Sequence, residues 1–139
     1  NMIKSVIKIV NSYKLSMVAI ALLLYLSFNN VHEYDSLSFL MFPHADKVVH
    51  FIMYYGVASA LYIDFIWMGR KLSTIIALVT ILLLAGVTVV GQQFLTETRS
   101  GDISDFIFNI LGGVVAMYLA PYTQKLYFRF INYVRGVFK

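Results

Sequence analysis

Cysteine is absent from the 139 residues, which removes any disulfide framework and any thiolate-ligated metal. Charge is scarce: 13% of residues are charged and 60% hydrophobic, against roughly 25% and 45–50% in soluble domains. A soluble fold of this length cannot hide so much apolar surface. The composition therefore predicts an integral membrane protein, with lipid covering what the chain leaves bare. The net charge is +4, and on helices this apolar a basic excess points to anionic lipid headgroups rather than nucleic acid. No internal repeat or low-complexity stretch is present. The first apolar stretch lacks a small-residue cleavage site, so no cleavable signal peptide is expected. Asn1, ahead of Met2, reads as the remnant of a cleaved tag. One membrane domain spanning 1–139 is expected.

Four segments are apolar enough to cross a bilayer, which takes about 20 helical residues. They run over about 13–28, 47–67, 72–95 and 103–119. The third holds no charge between Lys71 and Glu97; the fourth carries Asp105 and Asn109 in its first two turns. Beyond Pro121, residues 122–137 separate on a helical wheel. Lys125, Arg129, Asn132, Arg135 and Lys139 fall on one side, and Leu126, Phe130, Tyr133, Val134 and Val137 on the other. This pattern predicts an amphipathic helix lying in the headgroup layer. Gly56-x-x-x-Ala60 and Gly112-x-x-x-Ala116 mark expected close helix contacts, with Gly86, Gly91 and Gly113 as further candidates.

Basic residues are missing from the stretch between Asn29 and Asp46, which carries Glu33, Asp35 and Asp46. The loop 96–102 has Arg99 against Glu97 and Asp102. Lysines and arginines gather instead at Lys4, Lys8 and Lys14, at Arg70 and Lys71, and at Lys125, Arg129, Arg135 and Lys139. Alternating spans put these three groups on one side, so both termini are expected in the cytoplasm and both acidic loops outside. The fold class is thus all-α: a membrane four-helix bundle with cytoplasmic termini and a C-terminal interfacial helix. Asp64 falls near the cytoplasmic interface and is expected to be solvated or paired with Arg70.

Two polar clusters fall on the outer side. One is Asp46, Lys47 and His50, with Tyr54 a turn below; Lys47, His50 and Tyr54 share a helix face at i, i+3, i+7. The other is Gln93, Arg99, Ser100, Asp102, Asp105 and Asn109, of which Asp102, Asp105 and Asn109 share the same spacing. A charge at bilayer depth costs about 2.5–3.5 kcal/mol on insertion scales, so Asp105 and Asn109 should point at protein partners. One outward-opening polar pocket, built from Lys47, His50, Tyr54, Gln93, Arg99, Ser100, Asp105 and Asn109, is the expected site.

The stretch "DKVVHF", followed by "GQQFLTETRSGDISDFIFNILGG", resembles the VanZ-like family of small bacterial membrane proteins. The resemblance rests on Lys47, His50, Phe51, Gln93, Arg99, Ser100, Asp105, Asn109 and Gly112 and covers about half the chain. One position departs: the family often has a Glu three residues before the Gln, and Val90 stands there. The family takes its name from a protein associated with resistance to the glycopeptide teicoplanin. The resemblance therefore implies an envelope role near lipid-linked cell-wall precursors or glycopeptides.

Three readings follow. In the first, Lys47 and Arg99 hold an anionic headgroup or precursor, since arginine suits bidentate phosphate contact and lysine supplies a point charge. In the second, an enzyme acts on a lipid-linked phosphate or amide, with His50 as general base oriented by Asp46 or Asp105. Ser100 lacks a nucleophile-elbow motif. Asp46, His50, Asp102 and Asp105 lack a recognised ligand spacing, so neither metal nor other cofactor is expected. In the third, the polar residues only clip helices together and function lies in protein partners. Convergence of at least six polar residues on one side favours the first two over the third.

Overall fold

In the computed structural model, residues 1–28, 45–95 and 103–138 are described. They form five helices and, among the described residues, no strand: α1 Met2–Ser12, α2 Lys14–Phe28, α3 Ala45–Trp67, α4 Thr74–Leu95 and α5 Ile103–Val137. Lys47–Trp67, Thr74–Phe94 and Ile103–Val137 are each long and apolar enough to cross a membrane. The α1–α2 pair adds a fourth crossing if it counts as one bent span. The protein is a membrane protein. Its apolar surface fits lipid: on α4, Ile75, Leu83, Val87, Val90 and Phe94 stand exposed.

The interior lies on α3, which packs most extensively against α5 and then α2. Its buried stripe runs through His50, Tyr54, Val57, Ala58, Leu61 and Asp64, the i, i+3, i+4 recurrence of one helix face. α4 buries a narrower stripe of Ala77, Ile81, Ala85, Thr88 and Gln92. α5 answers with Asp105, Asn109, Gly112, Gly113, Ala116 and Ala120. Small residues set the closeness: a Cβ on Gly112 would run into the Phe51 carbonyl oxygen, and one on Gly113 would sit 2.8 Å from Ile81 Cγ1. A Cβ added at Gly56 or Gly86 would meet nothing within 4 Å beyond its own helix backbone. Close packing therefore follows Gly112 and Gly113, not the Gly56 motif.

Three local features differ from expectation. First, α5 does not stop at Pro121: it continues unbroken to Val137, a run of 35 residues, about 50 Å long. Proline removes one N–H from the helix ladder, but contacts with α3 hold the far side. The Tyr55 and Thr123 hydroxyls are 2.6 Å apart, and the Trp67 and Phe128 rings stack at 6.1 Å. The segment 122–137 is thus the end of a long helix rather than a separate element.

Second, Lys4 and Lys8 lie on a helix of their own, and Lys14 opens α2. α1 bends away from α2 by 76° at Tyr13, and none of its residues is buried. Third, Asp64 is neither solvated nor paired with Arg70. It is 2% exposed, and its Oδ2 accepts from the Ser16 backbone N–H at 2.8 Å and the Ser16 hydroxyl at 2.7 Å. The first N–H groups of a helix lack intrahelical partners, and the helix dipole favours an anion there. Asp64 therefore caps the start of α2 from a neighbouring helix and fixes the break behind Tyr13.

α3 ends in a tight cap. Gly69 sits at φ 71°, with its N–H donating to Ile66 O and the Arg70 N–H to Phe65 O, the paired bonds of a Schellman motif. That turn leaves Arg70 exposed beside α1 and α2.

Candidate functional site

The N-terminal ends of α3 and α5 meet along one polar face. Lys47 Nζ lies 3.7 Å from Asp105 Oδ1, with the two side chains 19% and 7% exposed. Asp105 occupies the first turn of α5, where the helix dipole favours a carboxylate. One turn on is Asn109, then Gly112, whose contact with the Phe51 backbone brings the two helices to near touching distance. His50 falls between Lys47 and Phe51 on α3, at 2% exposure, and Asn109 between Asp105 and Gly112 on α5, at 0%. The glycine is therefore what lets polar side chains from both helices share one interior level.

Deeper in the bundle Tyr54, Thr88 and Gln92 act as clips. The Tyr54 and Thr88 hydroxyls are 2.7 Å apart, and Thr88 Oγ1 donates to Ala85 O at 3.1 Å. Thr88 has one proton to give, so Tyr54 is the donor of the first bond. Gln92 Nε2 donates to Ser27 O at 3.0 Å, tying α4 to the end of α2. Each bond closes a backbone or hydroxyl group that lipid or packed side chains would leave bare.

Of the residues singled out from sequence, Lys47, His50, Tyr54, Asp105 and Asn109 line the inner faces of α3 and α5. Gln93 stands on the exposed side of α4, and its neighbour Gln92 takes the interior. Arg99, Ser100 and Asp102, and the side chain of Asp46, lie outside the described residues, so the loop half of the pocket is left as a sequence expectation. Val90, at the position where a Glu is often found in the family resembled, is 55% exposed. A carboxylate there would point away from this cluster. Thr88, Gln92 and Ser27 were not anticipated. The periodic run Ala77, Ile81, Ala85, Thr88, Gln92 was the available signal, because it marks the inner face of α4 and Gln93 falls about 100° off it.

Ser27 Oγ and Ser59 Oγ are buried without a hydrogen-bond partner among the described residues, and at Asn109 both amide atoms are. Asn109 is fully buried, and neither its amide nitrogen nor its oxygen has a hydrogen-bond partner among the described residues. A primary amide offers two donors and an acceptor with two lone pairs. Leaving such a group dry costs about 1–3 kcal/mol, which leucine at the same place would avoid. With the adjoining Lys47–Asp105 pair, the arrangement can present an amide, a cation and a carboxylate to a polar group arriving at the N-terminal ends of α3 and α5. Comparison with protein-family models, with curated proteins and with solved structures gives no match.

Proposed function

We propose that this is a VanZ-like protein of the bacterial plasma membrane whose polar cluster binds the anionic head of a membrane lipid or lipid-linked cell-wall precursor. Through that binding it would lower sensitivity to a glycopeptide such as teicoplanin. The observation that carries the reading is the fully buried Asn109 amide without a partner among the described residues. A network serving only to clip helices has no use for it, whereas a ligand site does. Lys47 is held by Asp105, so this pair is close to neutral as a unit. The second positive charge that an anion needs is assigned to Arg99, six residues before Asp105.

The reading places both termini in the cytoplasm and the cluster in the outer leaflet. It is supported by the basic residues gathered before α2, between α3 and α4 and at the end of α5, and by the acidic bias of the two other connections.

The test is binding of the purified chain to a polyprenyl-diphosphate-linked cell-wall precursor in neutral-lipid nanodiscs, with phosphatidylcholine alone as control. Saturable binding that weakens with salt is expected. Arg99→Gln and Asn109→Leu should each lower affinity by at least tenfold, the loss of about one charge-assisted contact. The same variants should lose any teicoplanin protection conferred on a sensitive host. Unchanged binding in both variants would remove the pocket from the account.

A further inference from the structure

The opposite end of the molecule holds a second polar recess. The bend between α1 and α2 opens a cleft of about 840 Å³, bounded by α1, the start of α2 and the end of α3. That volume falls within the roughly 300–1,000 Å³ of small-molecule sites. Among the described residues four cations line it, Lys4, Lys8, Lys14 and Arg70, with Asp64 as the single acid. The Asp64 carboxylate is already engaged, since Oδ2 takes both Ser16 donors. The cleft therefore carries a surplus of positive charge facing an open space.

The helix α1 that bounds the cleft is equally one-sided, and Ile7 reaches the cleft itself. Ile3, Val6, Ile7 and Val10 recur on α1 at helical spacing, and all four are exposed. Lys4 and Lys8 fall on the other side of the same short helix. Lys14 Nζ rests 5.1 Å from the centre of the Trp67 ring, a cation–π contact that keeps one ammonium at the wall of the cleft beside an aromatic body. A free anion would match the lysines but leave the apolar edge of α1 bare. An amphiphile with an anionic head satisfies both.

We infer that this cleft is a binding site for the phosphodiester headgroup of an anionic phospholipid, with the acyl chains lying along α1. It is independent of the polar cluster at the other end: Lys47 and Trp67 are 20 residues apart on one helix, about 30 Å.

Trp67 is the sole tryptophan of the chain and lines the cleft, so its emission reports occupancy without a label. The experiment titrates soluble short-chain phosphatidylglycerol into the full chain in neutral detergent. A saturable change in Trp67 emission is expected, absent with phosphatidylcholine of the same chain length and at least tenfold weaker with inorganic phosphate. Each lysine near an anionic headgroup contributes on the order of fivefold, so Lys4→Gln/Lys8→Gln should weaken binding roughly 30-fold. Arg129→Gln/Arg135→Gln removes the same charge from α5 and should change affinity less than about threefold. Both pairs involve exposed side chains, so folding is not at risk. Asn109→Leu should leave the titration unchanged, which separates failure here from failure at the Asn109 cluster. Equal losses in the two charge-matched pairs, an equal response to phosphatidylcholine, or equal affinity for inorganic phosphate would each overturn the assignment.

Discussion

Gly112→Ala is expected to destabilise the protein by about 1–3 kcal/mol, although alanine is the better helix former by up to about 1 kcal/mol. The added methyl would meet the Phe51 carbonyl oxygen, with the Phe51 carbonyl carbon and Cα both at 3.1 Å. Backbone cannot rotate aside as a side chain can, so α3 and α5 must separate. Because the same contact sets the spacing at Lys47 and Asp105, the separation should loosen that ion pair as well. Gly56→Ala supplies the opposite sign. It lies on α3 with nothing within 4 Å and should gain about 0.5–1 kcal/mol from helix propensity. Denaturant titration of both variants in one detergent reads the contrast directly. Stabilisation by both substitutions would mean that the α3–α5 approach is looser than the Gly112 contact requires.

Asp64→Ala is expected to cost about 3 kcal/mol, the loss of two hydrogen bonds to an ionised acceptor. The deletion strands the Ser16 N–H and hydroxyl in a buried setting at the start of α2. Asp64→Asn keeps one acceptor oxygen and should fall between the two. Ser16→Ala in the Asp64→Ala background should cost less than it does alone, because its partner has already gone. Melting temperatures of the four proteins check the scheme. Full additivity of the two losses would contradict a direct cap. Weakening of the phosphatidylglycerol response of Trp67 in Asp64→Ala is also expected, since Asp64 holds the bend that forms the cleft.

The spans were legible because hydropathy is a property of whole segments. The uncharged run between Lys71 and Glu97 became α4, and the segment expected over 47–67 became most of α3. What escaped were features decided by one contact. Pro121 reads as a helix end by its missing N–H, yet Tyr55 and Trp67 hold the chain beyond it. Asp64 looked like an interfacial acid because its partner, Ser16, is 48 residues away. α1 was legible too, since Ile3, Val6, Ile7 and Val10 have helical spacing, but its bend from α2 is fixed by the distant Asp64. In the candidate site, Lys47 and Asp105 were foreseeable as partners, since a carboxylate in an apolar segment must find a cation. The choice between Gln92 and Gln93 turned on one residue of rotation, which the inner stripe of α4 settles and a motif alone does not.

The central claim, that the cluster at the starts of α3 and α5 is built to receive a ligand rather than to hold the helices together, turns on Asn109. The most direct measurement is the melting temperature of Asn109→Leu in detergent without added ligand. Leucine removes a buried amide that has no partner among the described residues, so the account predicts a rise, worth about 1–3 kcal/mol. A clear fall in melting temperature would mean that the amide already contributes to folding, and would contradict it.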